Sequence, residues 1–184
     1  DPASTVASRN DYSVIMVLGV TAEYDYYVIE YWRERVLPME CADKIFEILK
    51  RYNPVRRVNI ETIAYQEMLR DYVQKRSKKE GLFVPGIEKG IKGYTQKKKD
   101  RLFEGLQPMF KAGAVHLKKL HHEFIGELLD FPKGSHDDTI DAFWLATQYA
   151  KGNPKAGRKK KDKQKDGTYM KARKAYNWIT GKRT

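Results

Sequence analysis

Residues 12–20 (YSVIMVLGV) and 24–32 (YDYYVIEYW) are two β-rich runs with only three residues between them. Branched and aromatic side chains suit a pleated surface, and three residues can reverse a chain but cannot carry a parallel crossover. The two runs are therefore expected to pair as a hairpin turned by Thr21-Ala22-Glu23. Whatever fold the chain adopts has to be built around that hairpin.

Beyond it, helical and extended patterns alternate. Pro38 sits near a helix start, Ala42, Ile45, Phe46 and Leu49 keep helical spacing, and Asn53-Pro54 ends the element. Residues 55–61 read as a short strand with Val58 and Ile60 on one face. Tyr65, Met68, Leu69, Tyr72 and Val73 then mark an amphipathic helix that Gly81 can cap. Leu82-Phe83-Val84 reads as another strand, and the Gly- and Lys-rich stretch 87–99 as a loop. Leu102, Phe103, Leu106, Met109 and Phe110 predict a helix that Pro108 should kink or restart. An edge strand is expected at 114–117, a short helix at 120–129, and a final helix at 139–151 that buries Ile140, Phe143 and Trp144. Tyr169, Met170, Ala175, Tyr176, Trp178 and Ile179 suggest one weak amphipathic helix more. This order predicts an α/β fold, a mixed central sheet flanked by helices on both faces. Asp1-Pro2-Ala3-Ser4 reads as the end of a strand, so the chain is expected to begin inside its first one.

The length of 184 residues suits one domain, taken as 1–151, followed by a Lys-rich tail, 152–184. The net charge is +12, and residues 151–184, with 13 Lys and Arg against 2 Asp, hold +11 of it. Basic character is thus a property of the tail, which either contacts a polyanion such as nucleic acid or serves as a solvated, solubilising extension. No run approaches the roughly 18 apolar residues of a membrane span. Cys41 is the sole cysteine, so no intrachain disulfide forms, in keeping with a reducing compartment.

The chemistry concentrates in His136-Asp137-Asp138-Thr139-Ile140-Asp141, three carboxylates and a histidine at the entrance of the last helix. One helix cap needs one acid. Three acids suit a divalent cation with hard oxygen ligands, and Asp138 and Asp141 share a helix face at i, i+3. Asp1, after a first strand, and Glu61, at the end of the 55–60 strand, can join them where strand ends converge in an α/β sheet. That arrangement fits two-metal phosphodiester hydrolysis, with two ions about 4 Å apart and one bridging acid, assigned to Asp1. Capping, strand-end solvation and a frayed terminus are the plainer readings of the same acids. His136 is either a group supporting the metal site, a phosphate contact or a loop residue.

Other chemistry has little footing. Residues 86–93 (GIEKGIKG) only superficially resemble a phosphate-binding loop, and no Walker A pattern occurs. No C-x-x-C or H-x-x-x-H pair supports zinc, Cys41 has no evident His partner, and His121 and His122, adjacent on a helix, face apart.

Asp1-Pro2-Ala3-Ser4, Asn10-Asp11-Tyr12-Ser13 before a hydrophobic strand, Ile60-Glu61, residues 98–110 (KKDRLFEGLQPMF) with Ala112-Gly113, and Phe131-Pro132 ahead of Asp137-Asp138-x-x-Asp141-Ala142 carry a family likeness. In that order they resemble the C-terminal nuclease domain of the large terminase subunit of tailed double-stranded DNA bacteriophages. The likeness covers residues 1–151 and implies an RNase H-like (RuvC-like) fold. It also implies a Mg²⁺- or Mn²⁺-dependent endonuclease, with two ions, that cuts concatemeric viral DNA during packaging. Position by position, Asp1 matches the first-strand acid, Glu61 the second and Asp138 the third, with Asp137 as the alternate to Asp138. Asp141 matches a further acid, and Asp11 an accessory one. The resemblance implies double-stranded DNA, the phage portal and the small terminase subunit as partners, and the cytoplasm of an infected bacterial host as location. An ATPase motor is expected ahead of this domain in a longer chain.

For DNA, the basic stretch 89–99, with Lys89, Lys92, Lys97, Lys98 and Lys99, comes first, then Lys118 and Lys119, all as phosphate contacts that read no bases. Two rival readings use the same residues: a resolvase or transposon nuclease of the same fold, and a non-catalytic module that docks on DNA or on the portal.

Overall fold

The computed structural model describes residues 12–62, 64–87, 91–92, 98–148, 150 and 169–171. Its strands are β1 (Ser13–Val20), β2 (Tyr26–Glu34), β3 (Glu61–Thr62), β4 (Ile91–Lys92), β5 (Val115–Lys118) and β6 (Tyr169–Lys171). Its helices are α1 (Pro38–Arg51), α2 (Ala64–Glu80), α3 (Lys98–Lys111), α4 (His122–Asp130) and α5 (Asp138–Thr147). The architecture is α/β. One sheet has the order β1-β2-β5-β6, and β3 pairs with β4. The chain divides into two compact units, residues 1–15 with 32–95 and residues 16–31 with 96–184.

The expected hairpin forms, with a turn two residues longer than its sequence suggested. Tyr24 takes a left-handed φ of 63°, and the turn closes through Thr21 N to Asp25 O (3.0 Å) and Asp25 N to Thr21 Oγ1 (3.1 Å). A strand cannot pass through a left-handed residue, so β2 starts at Tyr26. β5 lies parallel to β2, with Tyr26 opposite Val115 and Tyr27 opposite His116. His116 stacks flat on Tyr27 (4.2 Å, 6°), and its Nε2 lies 3.2 Å from Asp25 Oδ1, tying β5 to the turn. β5 is not an edge strand, because β6 pairs antiparallel along its other side. Residues 169–171, expected to open a helix, are extended there instead; an unpaired strand edge is a template for any nearby extended segment.

In the first unit, α1 and α2 pack through Ala42, Ile45, Phe46, Leu49, Leu69 and Val73. α2 ends as its glycine predicts. Gly81 is left-handed (φ 64°), and Leu82 N reaches back to Ser77 O at 3.2 Å, a Schellman closure. The strands expected at 55–61 and 82–84 do not form as such. Val58 N donates to Pro85 O (2.7 Å), but proline has no N–H to return, so no ladder propagates and regular β structure is confined to Glu61–Thr62. Within the expected loop 87–99, Ile91 and Lys92 pair parallel with Glu61 and Thr62, and Lys98 already opens α3.

The second unit is centred on Val28, Leu102, Leu106, Phe110, Val115, Leu117, Phe124, Leu128, Ile140 and Phe143. Pro108 neither breaks nor restarts α3, which runs through it. An interior proline costs about 3 kcal/mol, whereas burying Leu102, Leu106 and Phe110 contributes roughly 1.5–3 kcal/mol each, so packing prevails. The last helix occupies Asp138–Thr147, starting one residue earlier and ending four residues sooner than expected.

Candidate functional site at the start of α5

A stripe of Thr139, Ile140, Phe143 and Trp144 faces inward along α5. Thr139 and Phe143 are fully buried, and Phe143 meets the rings of Phe124 (5.4 Å) and Phe110 (6.1 Å). Trp144 lies directly over Gly105 of α3, where a Cβ would come within 2.1 Å of the indole ring. Glycine is required there by close approach, not by backbone conformation. At 100° per residue, this stripe leaves Asp138 and Asp141 on the far side of the helix. Both are half-buried, as are Asp137 and His136, and His136 Nδ1 stands 3.8 Å from Asp138 Oδ2.

The turn into α5 is local. After Phe131, Lys133 N (2.8 Å) and Gly134 N (2.9 Å) both donate to Asp130 O, and Asp141 N closes the first helical turn on Asp137 O at 2.9 Å. Asp137 occupies the N-cap position, yet its side chain makes no capping hydrogen bond. The cap is delivered by α4. Glu127, buried at 8% exposure, accepts through Oε2 from Thr139 N at 2.9 Å and from the Thr139 hydroxyl. Capping, the plainer explanation for the acid cluster, is therefore performed by a residue outside it. The cluster still benefits from the partial positive charge of the helix start.

Glu127 and Thr139 are the residues the motif reading missed. The signal was available: Phe124, Glu127 and Leu128 fall at i, i+3 and i+4, so a carboxylate sits on the apolar face of α4. His121, at the head of α4, is structural. It is 2% exposed, its Nδ1 accepts from Lys118 N (3.3 Å), and its ring meets Tyr31 edge-on (5.5 Å, 70°). Burial first, then Lys118 and His122, hold its pKa below the ordinary histidine value. Burial likewise pushes the Cys41 thiol up to about 11, which removes it as a nucleophile at neutral pH.

Asp137, Asp138 and Asp141 lie at the start of α5, and His136 approaches Asp138. Glu61, half-buried, belongs to the other unit, at the first position of β3 rather than at the end of a longer strand. Asp1 and Asp11 lie outside the described residues, as do Lys89 and Lys97. Lys92 is in β4, and Lys98 and Lys99 open α3. Lys119 is exposed, while Lys118 donates through Nζ to Ile29 O at 2.5 Å. The donor chemistry at α5, carboxylate oxygen without sulfur, fits Mg²⁺ or Mn²⁺. Among the described residues no group of three or more His, Cys, Asp or Glu side chains is arranged to hold a metal ion. No helix among them is long and apolar enough to cross a membrane.

A family model described as the terminase RNaseH-like domain matches residues 1–150. No curated protein and no solved structure matches the chain.

Proposed function

Because this chain belongs to the terminase RNaseH-like domain family, a nuclease-type domain, we propose that it is a metal-dependent endonuclease that cuts concatemeric viral DNA during genome packaging. The observation that carries the reading is the start of α5: Asp138 and Asp141 stand opposite the buried stripe, and Glu127 does the capping they would otherwise explain. In this reading Asp138 and Asp141 offer hard oxygen ligands to Mg²⁺ or Mn²⁺, with Asp137 as the alternate. Glu61 and Asp1 complete the set and Asp11 is accessory; their support is the order of motifs along the chain. Bound divalent ions activate a water and neutralise charge on the leaving 3′ oxygen. In the same reading His136, beside Asp138, orients that carboxylate or meets a phosphate. Lys119, Lys118 and the basic stretch 89–99 hold the DNA backbone without reading its bases. A full RNase H-like sheet with helices on both faces is the proposed frame. The proposed partners are double-stranded DNA, an ATPase motor on the same polypeptide, the portal and the small terminase subunit, in the cytoplasm of an infected bacterium.

The test is cleavage of supercoiled plasmid with Mn²⁺, Mg²⁺ or EDTA. Wild type is expected to cut with either metal and not with EDTA. Asp138→Ala should lose more than the roughly 100-fold that a supporting residue costs. No cleavage with any metal, or an Asp138→Ala variant that cuts normally, would hand the chain to the non-catalytic docking reading.

A further inference from the structure

Glu127 is an expensive way to begin a helix. A carboxylate held at 8% exposure has lost most of its hydration, a loss that only good hydrogen bonds offset. A helix that needed only a cap had cheaper choices next to it. Ser135 is two residues upstream of the N-cap, and Asp137 occupies the N-cap with no side-chain cap bond. The carboxylate that caps α5 comes instead from twelve residues away, on α4, and bonds both the backbone N–H and the hydroxyl of a fully buried threonine.

These two bonds do what a local cap cannot. A local cap fixes the conformation of the first turn but not where that turn lies. Two hydrogen bonds to one carboxylate oxygen pin the second residue of α5 to α4. The Trp144–Gly105 contact pins the same helix to α3 about a turn and a half further along. A helix held at two points along its axis has little freedom to slide or rotate. Thr139 directly follows Asp138 and precedes Asp141 by two residues, so the pinned point lies between the two proposed ligands.

We propose that Glu127 and Thr139 are a positioning pair for the metal site: the Glu127 carboxylate, through the N–H and hydroxyl of Thr139, holds the first turn of α5 so that Asp138 and Asp141 meet the cation in register. This rests on the metal-dependent reading above and extends it to residues that touch no metal. Supporting partners of metal ligands typically change metal affinity 10–100-fold.

The experiment is Mn²⁺ binding to the whole chain by isothermal titration calorimetry, well below each variant's melting temperature, with wild type, Glu127→Gln, Thr139→Val, Thr139→Ser and Asp138→Ala. Glu127→Gln and Thr139→Val are expected to bind Mn²⁺ about tenfold more weakly while still melting cooperatively. Thr139→Ser, which keeps the hydroxyl, should stay within about twofold of wild type, since it loses only a methyl group. A pair with a merely structural role would lower melting temperatures and leave the affinity of the folded protein alone, and that result overturns the proposal. Should Glu127→Gln fail to fold, the contrast between Thr139→Val and Thr139→Ser decides, because the valine removes one donor at constant shape. Wild type that binds no Mn²⁺, or Asp138→Ala that binds it unchanged, would instead remove the metal-dependent reading on which the pair depends.

Discussion

At the start of α1 the chain caps its own helix. Glu40, three residues in, accepts from Leu37 N at 2.9 Å at the exposed surface, and Pro38 fills a position where no N–H is needed. At the start of α5, acids are denser and none of this happens: the N-cap aspartate makes no side-chain cap bond, and a buried glutamate from α4 does the work. In a sequence the two helix starts look alike, with acid in the first turn of an apolar stripe. The difference teaches that an acid at a helix start is informative only once its capping duty has been assigned. At α1 the acid is consumed by the helix. At α5 the capping is taken over by Glu127.

Four measurements sharpen or break that contrast. The largest effect is expected from Gly105→Val, because even a Cβ at that position would lie 2.1 Å from the Trp144 ring. Overpacking of this kind should cost about 3 kcal/mol or more in urea unfolding, and a loss under about 1 kcal/mol would mean α5 is not held by α3 as described. Next, Glu127→Ala should cost about 2–3 kcal/mol, since it strands a buried N–H and hydroxyl, against about 0.5–1 kcal/mol for Glu40→Ala at an exposed cap. Equal losses would erase the distinction between the two helix starts. Asp138→Asn should move stability by no more than about 1 kcal/mol, the size of a helix-dipole effect, while abolishing metal-dependent cleavage. A larger loss of stability would return Asp138 to a structural role.

The smallest effect concerns pH. His121 has a folded pKa below its unfolded value because of burial, so the unfolded chain takes up the extra proton first. Its contribution to stability is complete above about pH 6.5 and is lost as pH falls toward the folded pKa. His121→Gln should therefore flatten the stability profile below pH 6.5 relative to wild type. An unchanged slope would show that other groups set the acid limb.

Much of the fold was legible from residues 12–34, where β-rich runs and a short gap dictate a hairpin, and from the apolar spacing of α1, α2 and α3. The misreadings have particular causes. Val58 has strand character but bonds to a proline carbonyl, and Tyr24 has strand propensity but sits left-handed in a turn. Pro108 is a helix breaker whose neighbours are buried deeply enough to override it. For the basic tail, the pairing of Tyr169–Lys171 with β5 makes truncation a poor probe of DNA contact. Truncation would remove a strand, so replacing Arg158, Lys159, Lys160, Lys161, Lys163 and Lys165 by serine is the cleaner way to ask whether the salt dependence of DNA binding flattens.

By itself the sequence determined the chemistry on offer: hard carboxylate oxygens at His136 to Asp141, a lone cysteine, a basic tail and an α/β order of elements. These follow from residue types and short-range spacing, which the chain carries whether or not it is folded. Only the tertiary structure decided that Glu127 caps α5, that Trp144 needs a glycine beneath it, and that Lys118 is partly spent on a carbonyl of β2. Each of those is a contact between residues at least twelve positions apart, whose meeting depends on how whole elements pack.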